Sequence, residues 1–144
     1  LEDKLCADVA AVLAEATEAL DAMEMRKAAQ AVRRIWVLGN EYLQLAAPWT
    51  AIKTDADRAA VITRYALNLV RLCSAITLPF MPSTARAIGE RVGVDGDLAW
   101  PSDVRAELGV LQPGQAVNVG SLLFNKIEDT QIADWATRFG GSEA

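Results

Sequence analysis

Three segments of the sequence, each about twenty residues long, carry apolar side chains at every third or fourth position. This spacing places the apolar side chains on one face of an α-helix. It predicts helices over residues 2–21, 24–45 and 55–78, the first two forming an antiparallel pair because only a short turn separates them. Pro48 and Pro79 interrupt the second and third patterns, since proline has no amide N–H to donate and disfavours helix in the residue before it.

The three apolar stripes define a common core, and the stripe of the third helix is wide enough to contact more than one neighbour. Thr54 is predicted to cap that third helix. The stripes are formed by Leu5, Val9, Val12, Leu13, Ala16 and Leu20, then Met25, Ala28, Val32, Ile35, Trp36 and Leu43, then Val61, Tyr65, Leu69, Leu72 and Ile76.

The rest of the chain contains shorter helical patterns. Pro82 suits the first turn of a fourth helix that reaches Val92, and residues 94–120 are rich in Gly, Pro, Asp and Asn, with at most a helical turn. A last helix is predicted over 130–139, packing through Ile132, Trp135 and Phe139. The prediction is an all-α fold: one domain over 1–144, with a bundle of four to five helices (1–92) and an irregular C-terminal tail (93–144) that packs back on it.

Composition restricts the function. The chain of 144 residues is 52% hydrophobic, enough for one packed core, and no uncharged apolar stretch approaches the roughly 18–20 residues that span a bilayer, so no membrane partner is expected. It has no histidine, which excludes Ser-His-Asp and Cys-His nucleophiles and His-ligated metals. Cys6 and Cys73 are interpreted as buried thiols in a reducing cytoplasm.

The charges are distributed unevenly. Residues 24–91 contain ten basic and five acidic residues, whereas the flanks are acidic and the whole chain carries a net charge of −5. Within the basic part, Arg64, Asn68 and Arg71 form a polar stripe on the third helix. The basic middle indicates either an anion-facing surface or ordinary solvated helix faces.

Trp49 follows Pro48 between two predicted helices, with Lys53 close by. An indole face beside cations is suited to stacking an unpaired RNA base. The alternative is that Trp49 plugs the end of the bundle.

Three ordered blocks of sequence resemble the C-terminal anticodon-binding domain of methionyl-tRNA synthetases. The first block contains Asn40, Tyr42, Pro48, Trp49 and Lys53. The second block covers residues 78–85, and the third runs from Leu111-x-Pro113-Gly114 to Leu123-Phe124-x-Lys126-Ile127-Glu128. Together they cover nearly the whole chain.

The resemblance implies that Trp49 stacks against an anticodon base of tRNA(Met). In the family, the Asn and Arg residues that read the anticodon lie on a preceding helix, which we expect before Leu1, so neither role is transferred to Asn40 or to any Arg here. Asn40 and Tyr42 are given structural roles, capping or packing the helix end beneath Trp49. Lys53, Arg64 and Arg71 are candidate contacts to the RNA backbone.

The resemblance also implies a cytoplasmic chain with no catalytic residue, cofactor or metal site of its own. The catalytic domain, which uses ATP and Mg²⁺ in the family, would lie elsewhere in the same polypeptide, and no DNA partner is expected. The competing hypothesis is a helical protein-interaction module that binds no RNA. Salt dependence separates the two hypotheses, because phosphate contacts weaken steeply as salt rises.

Overall fold

The computed structural model describes residues 1–94 and 96–140, and within them the chain is all-α, as predicted. Asp95 and residues 141–144 of the predicted tail lie outside the described residues. Seven helices follow one another in the described ranges: α1 (Glu2–Asp21), α2 (Met25–Ala46), α3 (Pro48–Ala51), α4 (Ala56–Thr77), α5 (Pro82–Arg91), α6 (Val104–Glu107) and α7 (Asp129–Phe139). The short helix α3 was not predicted.

Helices α1 and α2 form the predicted antiparallel hairpin, closed by a tight turn at Met23. Their buried side chains follow the predicted stripes closely, since only one face of each helix meets the core. The stripe of α2 is shifted at its ends: Met25 is exposed and Leu43 only partly buried, whereas Gly39 and Tyr42 are buried. Gly39 allows a close approach of α2 to α4, because a Cβ there would lie 2.8 Å from Leu69 Cδ2 and the leucine side chain would have to shift.

Helix α4 is the central helix of the bundle and packs against α2, α3, α5 and α6. Its N-cap is Asp55 and not Thr54, because the Asp55 backbone is extended and its carboxylate accepts a hydrogen bond of 2.8 Å from the amide N–H of Arg58. Val61, predicted in the core, is exposed, and the buried stripe runs through Ile62 instead.

By length and composition alone, α4 could also cross a membrane, but half of its apolar window is buried inside this bundle. A buried core helix meets the same criterion, so the finding gives little support for a membrane segment.

The first part of the tail packs back on the bundle. Val104 and Leu108 of α6 are buried in the same core as α1, α2 and α4, and Leu111 is buried beside them. The indole N–H of Trp100 donates a hydrogen bond of 2.9 Å to the hydroxyl of Thr17 on α1. Residues 98–111 therefore close one side of the core.

The last part of the tail does not pack as predicted. Residues 112–140 are exposed, including Ile132, Trp135 and Phe139, the side chains expected to pack from the last helix. The helix itself forms, with a reciprocal capping box between Glu128 and Gln131. Periodicity correctly indicated an amphipathic helix, but an apolar face does not specify what covers it.

Candidate nucleic-acid interface

Trp49 lies on a short turn between α2 and α4. The chain leaves α2 through Ala47, which adopts a left-handed conformation with φ 43°, and Pro48 then begins α3. The indole of Trp49 is 51% exposed and is not part of the buried core. The residue is therefore not a plug that fills the end of the bundle, and a large face of its ring is open to stacking.

An apolar groove of about 890 Å³ runs beside this indole. Its walls are α3, the first half of α4 and the tail segment 111–117, and Arg64 is the charged side chain among the described residues that line it. The lining residues are Pro48, Trp49, Ile52, Ala56, Ala59, Ala60, Val61, Thr63, Arg64, Leu67, Leu111, Gln112, Pro113, Gly114, Gln115 and Val117. The groove explains why Val61 is exposed: its side chain faces this opening and not the core.

The structure brings two of the three candidate backbone contacts close to Trp49. Lys53 is exposed in the turn that follows α3, and Arg64 lines the same groove as Trp49. Within the described residues neither side chain makes an ion pair or a hydrogen bond. Each cation can therefore meet a phosphate without first breaking an existing contact.

Arg71 has a different environment. Its guanidinium donates a hydrogen bond to Glu107 at the end of α6, and both side chains are about three-quarters buried. This ion pair ties α4 to α6 and competes with any phosphate for the same cation. The spacing of Arg71 on the polar stripe did not reveal this partner, which lies 36 positions along the chain.

Asn68, between the two arginines, is fully buried. Its side-chain amide donates to the Arg64 carbonyl at 3.0 Å, and its side-chain oxygen accepts a 2.7 Å hydrogen bond from the amide N–H of Leu111. The predicted polar stripe is thus partly structural: its centre holds the tail against α4, and only its Arg64 end faces the groove.

Tyr42 packs in the core near the end of α2, as predicted, whereas the structural role predicted for Asn40 is wrong. Tyr42 is buried near the end of α2, and its hydroxyl donates a 2.8 Å hydrogen bond to Glu2 Oε1. Burial, reinforced by this carboxylate, raises the pKa of Tyr42 far above its usual value. Asn40 is exposed on α2, well before the helix ends at Ala46, where it neither caps nor packs.

Two residues near the Trp49 turn, Glu2 and Arg58, were not predicted from the sequence. Glu2 Oε1 also accepts a 2.6 Å hydrogen bond from Arg58 Nη2, at the start of α4. These contacts join residues 40 and 56 positions apart, so no local spacing could have indicated them.

Two kinds of group bear on metal binding and nucleophilic chemistry: clusters of metal-ligating side chains and the two cysteines. No group of three or more His, Cys, Asp or Glu side chains among residues 1–94 and 96–140 could hold a metal ion. Cys6 and Cys73 are buried free thiols, as predicted, and burial raises the pKa of Cys73 to about 12. A thiol in this state is a poor nucleophile.

Comparison with known proteins agrees with the family resemblance seen in the sequence. Residues 1–144 match the family model described as the anticodon binding domain of methionyl tRNA ligase. The chain is 58% identical to a methionine–tRNA ligase of Caulobacter vibrioides over 144 residues, which is 99% of this chain and 25% of the relative. It is 51% identical to the methionine–tRNA ligase of Jannaschia sp. and 46% identical to one of Cereibacter sphaeroides, over 97% of this chain and 24% of each relative. The chain therefore spans about a quarter of the length of these curated relatives.

Proposed function

The chain belongs to the family of anticodon-binding domains of methionyl tRNA ligase, and we propose that it binds the anticodon loop of tRNA(Met) for a catalytic domain in the same polypeptide. The observation that carries the proposal is the half-exposed indole of Trp49, held on a proline-bounded turn beside an apolar groove with Arg64 on its wall and Lys53 nearby. Aromatic faces beside cations are what unpaired bases and their phosphates require.

In this proposal Trp49 stacks one anticodon base, and Pro48 limits the freedom of the turn. Proline fixes φ near −65°, so less conformational entropy is lost when the base binds. Lys53 and Arg64 neutralise phosphates on either side of the stacked base. Arg71 contributes to the stability of the fold instead, through its ion pair with Glu107.

The proposal assigns the chemistry to another part of the polypeptide. The sequence holds no histidine, and the relatives named as ligases are about four times as long as this chain. ATP and Mg²⁺ would bind in that other part, and aminoacylation in the cytoplasm would take place there. This domain would supply recognition, so its loss would affect tRNA charging and leave methionine activation intact.

The test replaces Trp49 by Ala in the full-length ligase, with Trp49→Phe as the matched variant that keeps an aromatic face. Stacking is worth about 1–3 kcal/mol, so Trp49→Ala should weaken tRNA(Met) binding roughly 5- to 150-fold, with a smaller loss for Trp49→Phe. Methionine-dependent ATP–pyrophosphate exchange should remain normal. Unchanged tRNA affinity in a folded Trp49→Ala enzyme would contradict the proposal.

Salt dependence tests the alternative of a protein-interaction module. Binding driven by phosphate contacts loses affinity steeply as salt rises, because neutralising phosphates releases counterions. An apolar helix docking in the groove would be far less sensitive to salt. A steep slope for tRNA(Met) supports the RNA-binding function, and an absence of tRNA binding at low salt favours the module.

A further inference from the structure

Both flanks of the Trp49 turn are hydrogen-bonded to the same oxygen atom. Glu2 Oε1 at the start of α1 accepts from Tyr42 Oη at 2.8 Å and from Arg58 Nη2 at 2.6 Å. Tyr42 precedes the turn near the end of α2, and Arg58 follows it in the first turn of α4. The segment from residue 43 to residue 57, which contains the end of α2, all of α3 and the start of α4, therefore has both of its ends hydrogen-bonded to one carboxylate.

Helix α3, which carries Trp49, packs against α4, and its Ala51 lies against the core, but the helix is short. Helix α3 has only four residues, no buried side chain and no side-chain cap at its N-terminus. Its N-cap, Ala47, is one of two non-glycine residues at positive φ among the described residues, a conformation that costs an L-residue energy and persists only when its surroundings impose it. Besides its packing on α4, the orientation of α3 therefore depends on how its two ends are held.

We propose that Glu2, Tyr42 and Arg58 are positioning residues for Trp49: their shared hydrogen bonds fix the ends of the turn and so hold the indole at the angle at which it stacks a base. The inference rests on the proposed function of Trp49 and adds residues that lie outside the groove and touch no RNA. A preorganised site binds its ligand more tightly, because fewer of its side chains and less of its backbone have to be ordered on binding.

The environment of Glu2, Tyr42 and Arg58 supports their role as positioning residues. Tyr42 is buried and Glu2 is mostly shielded from solvent, so their hydrogen bond is protected from competition by water. Charge-assisted hydrogen bonds such as Arg58 to Glu2 are shorter and stronger than neutral ones. By contrast, the ion pair of Glu15 with Arg34 on the same hairpin is exposed and lies away from the turn.

The experiment uses the full-length ligase and two variants, Tyr42→Phe and Glu2→Ala. Tyr42→Phe removes one hydroxyl and keeps the buried ring, and Tyr65→Phe is its matched control, because the Tyr65 hydroxyl makes no hydrogen bond within the described residues. Glu15→Ala is the matched control for Glu2→Ala. Affinity for a tRNA(Met) transcript, methionine-dependent pyrophosphate exchange and the thermal melting curve are measured for each protein.

Both test variants should weaken tRNA(Met) binding roughly 2- to 10-fold at a temperature where melting shows them folded, and the two controls should not. Methionine activation should be unchanged in all four proteins. The decisive measurement repeats Tyr42→Phe in a Trp49→Ala background. If Tyr42 acts through the indole, its replacement there should change the affinity less than about twofold, because a residue has no effect through a partner that is already gone.

Two outcomes would overturn the proposal, and a third would contradict the proposed function of Trp49 instead. A loss of affinity for Tyr42→Phe that persists in full without Trp49 would overturn the proposal, because the hydroxyl would then act by another route. Wild-type affinity in the folded Tyr42→Phe and Glu2→Ala enzymes would also overturn it. Failure of Trp49→Ala itself to weaken binding would instead contradict the proposed function, so the two failures are distinguishable.

Discussion

The side chain of Asn68 and the backbone of Leu111 are hydrogen-bonded to each other in both directions. The Leu111 amide N–H donates to Asn68 Oδ1 at 2.7 Å, and Asn68 Nδ2 lies 3.5 Å from the Leu111 carbonyl. The Asn68 side chain thus pairs with the Leu111 backbone as another peptide group would. This pairing holds an irregular segment of the tail against the helical core. The groove beside Trp49 depends on this contact, since Leu111 begins its tail-side wall.

Asn68→Ala should lower the free energy of unfolding by about 1–3 kcal/mol, because the amide N–H of Leu111 would be left buried without a partner. Chemical denaturation gives the loss directly. Hydrogen exchange should also become faster at Leu111. Asn40→Ala is the matched control: Asn40 is exposed on α2, so its replacement should change stability by less than about 0.5 kcal/mol. Equal losses for the two variants would contradict the role given to Asn68.

The helices were predictable because their signals are local. The apolar period and the prolines placed the four main helices within two residues of their observed ends, as with 55–78 against Ala56–Thr77. The placement of the tail was not predictable. Contacts such as Leu111 to Asn68 and Arg71 to Glu107 join residues 43 and 36 positions apart and leave no trace in local spacing.

The candidate site was predictable in part. The position of Trp49 beside Pro48 predicts a base-stacking role, which stays a prediction. The exposure of its indole depends on how α3 packs on α4, which no periodicity specifies. The charge of Arg64 and Arg71 was equally visible in the sequence. Only the structure separates them, because a charged stripe indicates which face of a helix is polar and not which groups it meets.

Met23→Gly should stabilise the fold by about 0.5–1 kcal/mol. Met23 is 79% exposed and adopts φ 60° in the turn between α1 and α2. Glycine removes the steric cost of the left-handed conformation, about 1–2 kcal/mol, and adds about 0.4–1 kcal/mol of unfolded-state entropy. Thermal melting measures the difference. Met25→Gly is the matched control, because Met25 begins helix α2 and glycine there should lower stability. A destabilised Met23→Gly chain would contradict the reasoning.

Glu2 should make the fold sensitive to acid. Burial alone would raise the pKa of its carboxyl, but hydrogen bonds from Arg58 and Tyr42 outweigh this and hold the pKa below its ordinary value of 4.5. A carboxyl with a lowered folded-state pKa contributes its stability fully above the ordinary value and loses it as the pH falls through the folded-state value. Unfolding titrations from pH 7 to about pH 3 should therefore show a smaller loss of stability in Glu2→Gln than in the wild type. Identical pH profiles would show that Glu2 gains nothing from its partners in the folded state.

Replacing Arg64 by Gln and replacing Arg71 by Gln should affect different properties, the first tRNA binding and the second the stability of the fold. Arg64 lines the groove and is free to neutralise a phosphate, so Arg64→Gln should reduce the slope of log K against log salt for tRNA(Met) by roughly 0.7 and leave stability nearly unchanged. Arg71→Gln should leave that slope unaltered and lower the free energy of unfolding by about 1–2 kcal/mol, because it breaks a mostly buried ion pair with Glu107. Glu107→Gln is the matched variant, since it breaks the same pair from the other side and should reproduce the stability loss without weakening tRNA binding. A reduced salt slope in Arg71→Gln would show that this arginine leaves Glu107 for the RNA backbone, and would return Arg71 to the interface.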